Sequence, residues 1–235
     1  KLERSASRIV RGKIRNAGQT CGAPDYILVH HKMKDSVVKL LIHEIEKGLG
    51  TNPEEAPDFA RIISRKNWHR QLGLLENQKI LYGGQSNIET LYLAPTLLDE
   101  PKRDSLVMNE EIFGPILPIL SYQSNSDIDT IISSFEKPLS LYLFSQNKSF
   151  IDEILQKYSF GGGCINDTVI HLVNHRLPFG GVGHSGIGAY HGKLSFDIFS
   201  HKKAIVKRGT WLDLPMRYAP YKNKLKTIKK VLKWL

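Results

Sequence analysis

The chain carries two cysteines, Cys21 and Cys164, and the first stands in a setting suited to chemistry. Asn16-Ala17-Gly18-Gln19-Thr20-Cys21 is a polar stretch that follows a helix-like segment, Ala6–Ile14, and precedes an apolar run, Tyr26–Val29. A cysteine on a loop at the edge of a sheet is held by the scaffold yet open to a ligand. Gly18 and Gly22 let the backbone come close to a small molecule, and Pro24 stiffens the exit. The thiolate is the nucleophile, so a base or a positive dipole must help ionise the thiol near neutral pH. Such a thiolate adds to a carbonyl carbon. The oxyanion that develops needs donors, and the Cys21 N–H is one candidate. The competing reading is a small buried hydrophobe, the commonest state of a lone cysteine. Cys164 follows Gly161, Gly162 and Gly163 and reads as structural.

Two other spacings are weaker. Gly181-Val182-Gly183-His184-Ser185-Gly186 matches GxGxxG. A phosphate cradle of that pattern follows a strand, opens a helix and has an acid about 20 residues on. Here Pro178 and Phe179 precede it, more glycine follows, and 201–206 holds no acid. His171 and His175 have the spacing of two metal ligands on one helix face, but no carboxylate motif or cysteine pair accompanies them. Satisfied polar histidines are the plainer reading, and no metal is expected.

Positioning these residues requires a scaffold, and the periodicity supplies one. Val37, Val38, Leu41, Ile42 and Ile45 recur at helical spacing, stopped by Gly48 and Gly50. A second helix is expected from Asp58 to about Glu76. Strands are expected at Ile80–Tyr82, Leu91–Leu97 and Ile116–Ser121. Ile128, Ile131, Ile132 and Phe135 mark a helix that Asn125 or Ser126 would cap. Leu139–Phe144 reads as a strand, Phe150–Tyr158 as a helix, Cys164–Asn166 as the start of a strand, and 166–177 as a loop. Strands alternating with helices predict an α/β fold in three layers, a mostly parallel twisted sheet with helices on both faces. The body is expected over 1–190. A C-terminal strand at Lys203–Arg208 and a basic tail make up 191–235, read as an oligomerisation segment.

Composition bounds the rest. The chain has 235 residues, 41% hydrophobic and 24% charged, the balance of a globular rather than a disordered protein. No apolar run approaches the roughly 20 residues that cross a bilayer. The opening is charged, lacks an apolar signal region and lacks Met, so the start is expected to lie inside a longer chain. Two thiols make no disulfide framework, which fits a reduced cytoplasm. The net charge of +10 would suit nucleic acid, but no helix-turn-helix or RNA-binding signature accompanies it, and a solvated basic surface is expected. The tail places Leu225, Ile228, Val231, Leu232 and Leu235 among lysines, an amphipathic basic helix. It is too short to span a membrane. It suits docking on its own or a partner subunit, or a peripheral contact with anionic lipid.

Several motifs share one resemblance. NAGQTC at Asn16–Cys21, APDYILV at Ala23–Val29, NEEIFGP at Asn109–Pro115, LPFGGVGHSGIGAYHGKLSFDIFSHKK at Leu177–Lys203 and DLPMRYAPY at Asp213–Tyr221 resemble, in order, the class 3 branch of the aldehyde dehydrogenase superfamily. That branch includes fatty-aldehyde enzymes. The resemblance implies Cys21 as nucleophile, forming a thiohemiacetal and then a thioester. It implies Glu111 as the carboxylate that bonds the nicotinamide ribose hydroxyls, Phe113 as the ring packed near the nicotinamide, and Phe179 as a residue of the substrate pocket. It implies NAD or NADP as cofactor, medium or long aliphatic or aromatic aldehydes as substrates, and a homodimer. The family's dinucleotide-binding domain, general-base glutamate and oxyanion asparagine lie upstream of these motifs, and no residue here takes those roles. Two alternatives stand beside this reading. One is a catalytically silent half-enzyme or interaction module. The other is a related reductase using coenzyme A or phosphate as acceptor, which the class 3 ending disfavours.

Overall fold

Helix α1, Leu2–Ile14, buries Ala6, Ile9, Val10 and Lys13 along one side. In the computed structural model, which describes residues 1–221 and 224–233 (the side chains of Met216 and Val231 excepted), that side packs on α2, Lys34–Leu49. Helix α2 buries Val37, Leu41, Ile45 and Leu49, a stripe repeating every fourth residue. Gly50 ends it at φ 75°, a conformation that glycine adopts without strain.

The sheet lies beside this helix pair. Strand β1 is Ile27–His30, β2 Ile80–Tyr82, β3 Ser86–Asn87, β4 Tyr92–Leu93, β5 Thr96–Asp99 and β6 Ile116–Tyr122. Four of them form one sheet in the order β1-β6-β5-β2. The β1–β6 and β6–β5 pairs are parallel, and β2 closes the edge antiparallel to β5. A short antiparallel pair, β3 with β4, stands separately.

Alternation across the strands builds two cores. Val29, Leu97, Leu117 and Ile119 face α1 and α2. Leu98, Ile116 and Leu120 face the opposite layer, with α3 (Arg65–Leu75), α4 (Leu106–Asn109) and α5 (Asn125–Ile132). Successive strand residues point to opposite sides, so a sheet apolar at every position must be covered twice. The three-layer expectation therefore holds. Strands β7 (Ser140–Leu143) and β8 (Gly162–Ile165) form a further parallel pair joined through α6, Lys148–Lys157. Helix α7, Gly192–Ile198, closes the unit that ends at Phe199.

Several expected elements shift. The helix expected from Asp58 begins at Arg65, capped by the Ser64 side chain, which accepts from Asn67 N–H. Pro95 divides the strand expected at Leu91–Leu97, since proline cannot donate to a ladder. Its two halves pair with different strands. Ser124, rather than Asn125 or Ser126, caps α5 in a reciprocal box with Asp127. Residues 170–173 form a single tight turn of helix within the expected loop.

Residues 200–235 form a second unit. Within it Asp213 gathers Arg208 at 3.0 Å, Arg217 at 3.5 Å and the Tyr218 hydroxyl. Helix α8 spans Leu225–Val231 and includes Leu225 and Ile228 of the expected tail helix. Leu235 lies outside the described residues. The strand expected at Lys203–Arg208 is not formed. A strand needs a hydrogen-bonded neighbour, and among the described residues this stretch has none, leaving Val206 92% exposed. Among the described residues no helix is long and apolar enough to cross a membrane.

Leu98 is fully buried between β5 and the α3–α5 layer. Leu98→Ala is expected to lower stability by about 2–5 kcal/mol in urea denaturation. Ile187→Ala, at a fully exposed position, should change it by less than about 0.5 kcal/mol. Equal effects would contradict this placement of the core.

Candidate active site

The thiol loop begins where α1 stops. Asn16 and Ala17 take φ 50° and Gly18 takes φ 72°, three successive left-handed residues that reverse the chain. This conformation costs a non-glycine residue about 1–2 kcal/mol, and Ala17 is held in it by near-complete burial. Gly18 is required for space as well. A side chain there would collide with the carbonyl oxygen of Gly114, so two backbones touch directly. Gln19 then ties the loop down. Its Nε2 donates to the carbonyls of Asn16 (3.0 Å) and Arg61 (2.9 Å), and its Oε1 accepts from Ile63 N–H at 2.9 Å. Asn16 Nδ2 returns a bond to Gln19 O at 3.0 Å. Ala23 N–H donates to Thr20 O at 2.9 Å, closing a turn whose middle residues are Cys21 and Gly22. Cys21 is exposed at its tip.

The second loop, 110–115, leads into β6. Ile112 is its buried anchor, and several backbone groups around it are engaged. Its N–H donates to Asp25 Oδ1 at 3.2 Å. Arg70 donates to the carbonyls of Glu111 (3.1 Å) and Ile112 (2.5 Å), and Gln71 donates to those of Ile112 and Phe113. Thr96 N–H bonds Pro115 O at 2.9 Å. With the backbone pinned, Glu111 and Phe113 flank the anchor with exposed side chains. Phe113 sits at φ 46°, a strained value for a bulky residue that this network holds in place.

Three charged groups, Lys13, Asp25 and Glu111, act on one another around these loops. Lys13 is buried on the apolar side of α1, and its ammonium makes no hydrogen bond among the described residues. Burial pushes it down to about 8 from 10.5, against the attraction of Asp25 and Glu111. Burial raises the Asp25 carboxyl, opposed by Lys13 and by the Ile112 N–H. Burial, then repulsion from Asp25, raises Glu111.

The structure thus brings the Cys21 loop against the loop of Glu111 and Phe113. Phe179 belongs to another packing group, bridged to Tyr190 and stacked on His191 at 5.9 Å. The two spaced histidines separate. His171 Nδ1 meets Cys164 Sγ and its Nε2 meets Ser140 Oγ, each at 3.4 Å, while His175 packs on His191. An open cleft of about 770 Å³ lies here, lined in part by Cys164, Ile170, Val173, Arg176 and Leu177. The GxGxxG stretch forms one short turn at Gly183–Ser185 and opens no long helix. The motif reading missed Lys13, Asp25, Arg70 and Gln71. A lysine in register with Ala6, Ile9 and Val10 was the available signal for the first. Nothing local marks the other three.

The scaffold is a covered, mostly parallel α/β sheet that presents an exposed thiol on a pinned turn. Residues 1–205 match the model of the aldehyde dehydrogenase family, and the chain belongs to that family. It is 48% identical over 231 residues to the 4,4'-diaponeurosporen-aldehyde dehydrogenase of Staphylococcus aureus, covering 97% of this chain and 50% of that protein. It is 43% identical over 207 residues to a bovine (Bos taurus) aldehyde dehydrogenase described as dimeric and NADP-preferring, covering 88% and 87% of the two chains. The solved structure of the substrate-bound state of Staphylococcus aureus AldH superposes with a TM-score of 0.93 at 46% identity, over 99% of this chain and 51% of that one. The chain therefore spans about half the length of the Staphylococcus protein.

Lys13 should imprint its titration on stability. The folded protein releases this proton near pH 8, whereas the unfolded chain keeps it to about 10.5. The unfolded state binds more protons in that window, so this group makes stability rise with pH there. In Lys13→Met, guanidinium denaturation between pH 8 and about 9.5, below the ordinary tyrosine range, is expected to lack that rise. An unchanged slope would remove Lys13 as its source.

Proposed function

We propose that the protein bearing this chain oxidises aldehydes to carboxylic acids with NAD or NADP, and that Cys21 is its nucleophile. The observation carrying this reading is the exposed Cys21 turn, pinned by Gln19 and set directly against the Glu111–Phe113 loop.

The Cys21 thiolate forms a C–S bond to the aldehyde carbon while the carbonyl π pair moves onto oxygen. That oxyanion accepts hydrogen bonds, with the Cys21 N–H as one donor. Bound NAD or NADP supplies the hydride acceptor. As the oxyanion re-forms its carbonyl, the C–H bond breaks, its hydride passes to that acceptor and a thioester remains on Cys21; water then adds to the thioester and breaks the C–S bond, releasing the acid and the thiolate. The chemistry of Glu111 and Phe113 fits the cofactor. Glu111 offers an exposed carboxylate able to accept two ribose hydroxyls, and Phe113, 39% exposed, offers an aromatic face to a planar ring. Phe179 is assigned to the substrate pocket through its motif, and the apolar side chains of Ile170, Val173 and Leu177 along the cleft favour medium or long aliphatic or aromatic aldehydes. The name of the Staphylococcus relative, a diaponeurosporen-aldehyde enzyme, points the same way.

Residues 1–190 serve as the catalytic body in this reading and 191–235 as an oligomerisation segment of a homodimer. The exposed Phe196 and Phe199 support an association surface, as does the dimeric description of the bovine relative. The free thiols suit a reducing cytoplasm.

In the protein at its full natural length, Cys21→Ala is expected to cut aldehyde-dependent NADH or NADPH formation by at least about 10³-fold, with an unchanged circular-dichroism spectrum. Undiminished turnover would end the proposal. Helix α8, with Lys226, Lys229 and Lys230, is assigned a peripheral contact with anionic lipid. Removing the residues after Tyr221 should then weaken sedimentation with phosphatidylserine vesicles, and unchanged binding rejects the contact.

A further inference from the structure

Gly22, beside the thiol, is held from a distant part of the chain. Its carbonyl accepts a hydrogen bond from the Tyr142 hydroxyl at 2.6 Å, across 120 residues of sequence. The next amide, Ala23 N–H, is the one that closes the turn onto Thr20. Both polar groups of the Gly22–Ala23 peptide are therefore engaged, one within the turn and one on β7. Leu172 fills the space where a side chain at Gly22 would stand, so the peptide is enclosed as well as bonded.

Tyr142 is itself braced. The His171 ring meets its edge at 5.7 Å between centroids, and that imidazole is fixed by Cys164 on one nitrogen and Ser140 on the other. Burial pushes the Tyr142 phenol up to about 12, so it remains a proton donor at neutral pH.

We infer that Tyr142 is a positioning residue for the reaction at Cys21: its hydroxyl fixes the Gly22–Ala23 peptide and so the turn that presents the thiol. This rests on Cys21 being the nucleophile. Gln19 restrains the turn on its N-terminal side. On the C-terminal side a glycine would otherwise leave the backbone free to swing. Small displacements of a reacting atom cost large factors in rate, so a single hydroxyl at this point controls turnover without touching the substrate.

The test uses Tyr142→Phe in the protein at its full natural length, which deletes the hydroxyl and keeps the ring. Expected are a kcat lowered about 10-fold, KM values for aldehyde and nucleotide within about twofold, and a Tm within a few degrees. Amide exchange should quicken at residues 19–23 alone. Tyr122→Phe, which deletes a hydroxyl at the far end of β6, should change none of these. Unchanged exchange at 19–23 overturns the inference whatever the activity. So does a kcat loss accompanied by faster exchange throughout β7 and β8, the mark of general loosening. A protein that forms no reduced nucleotide from aldehyde defeats the functional reading instead, and exchange alone then decides whether Tyr142 holds the turn.

Discussion

A buried carboxylate joins the two halves of the site. Asp25 lies between the thiol turn and β1, and it accepts the N–H of Ile112 from the loop that carries Glu111 and Phe113. Burying such a group is costly unless it is both bonded and neutralised. Ile112 meets the first requirement and the Lys13 ammonium, itself buried, meets the second. Neither charge is favourable alone in this interior. Together they hold the loops at the spacing that lets the backbones of Gly18 and Gly114 meet.

The site also has an uncommon place on its sheet. In open α/β sheets, ligands usually gather at the carboxyl ends of parallel strands. Here the thiol turn runs into the amino end of β1 and the Glu111–Phe113 loop into the amino end of β6. Neither loop lies at a strand-to-helix junction. Polar side chains fix their backbone groups instead, Gln19 in the first and Asp25, Arg70 and Gln71 in the second.

How far the chain was legible differs by element. The repeat of Val37, Leu41 and Ile45 marked α2, and the continuous apolar run at Ile116–Leu120 marked β6, because each signal lies within one element. The thiol turn was legible through its motif, and so was the loop at Glu111. The start of α3 was less so, because Asp58 is as good a capping residue as the Ser64 that the structure uses, and Asp58 to Ile63 resembles a helix in composition. The split at Pro95 was readable in principle from the missing donor. The strand at Lys203–Arg208 was not, since an apolar stretch says nothing about whether a neighbour exists to pair with it. Asp25, Gln71 and Tyr142 were beyond local reading. Their meaning lies in partners 41 to 120 positions away, and no periodicity within a window can report those.

The Gln19 bonds have one more consequence. They fasten the thiol turn to residues 61–63, immediately before α3, and the same helix grips the other loop through Arg70 and Gln71. Asp25 links that loop back to the turn. The connections make a closed ring with a rigid helix as one side, as in a braced truss. Thermal motion can carry such a ring as a body, yet it cannot easily alter one side without straining the others. The separation between the Cys21 turn and the Glu111–Phe113 loop is in this sense a dimension of the frame, kept constant while the surface around it breathes.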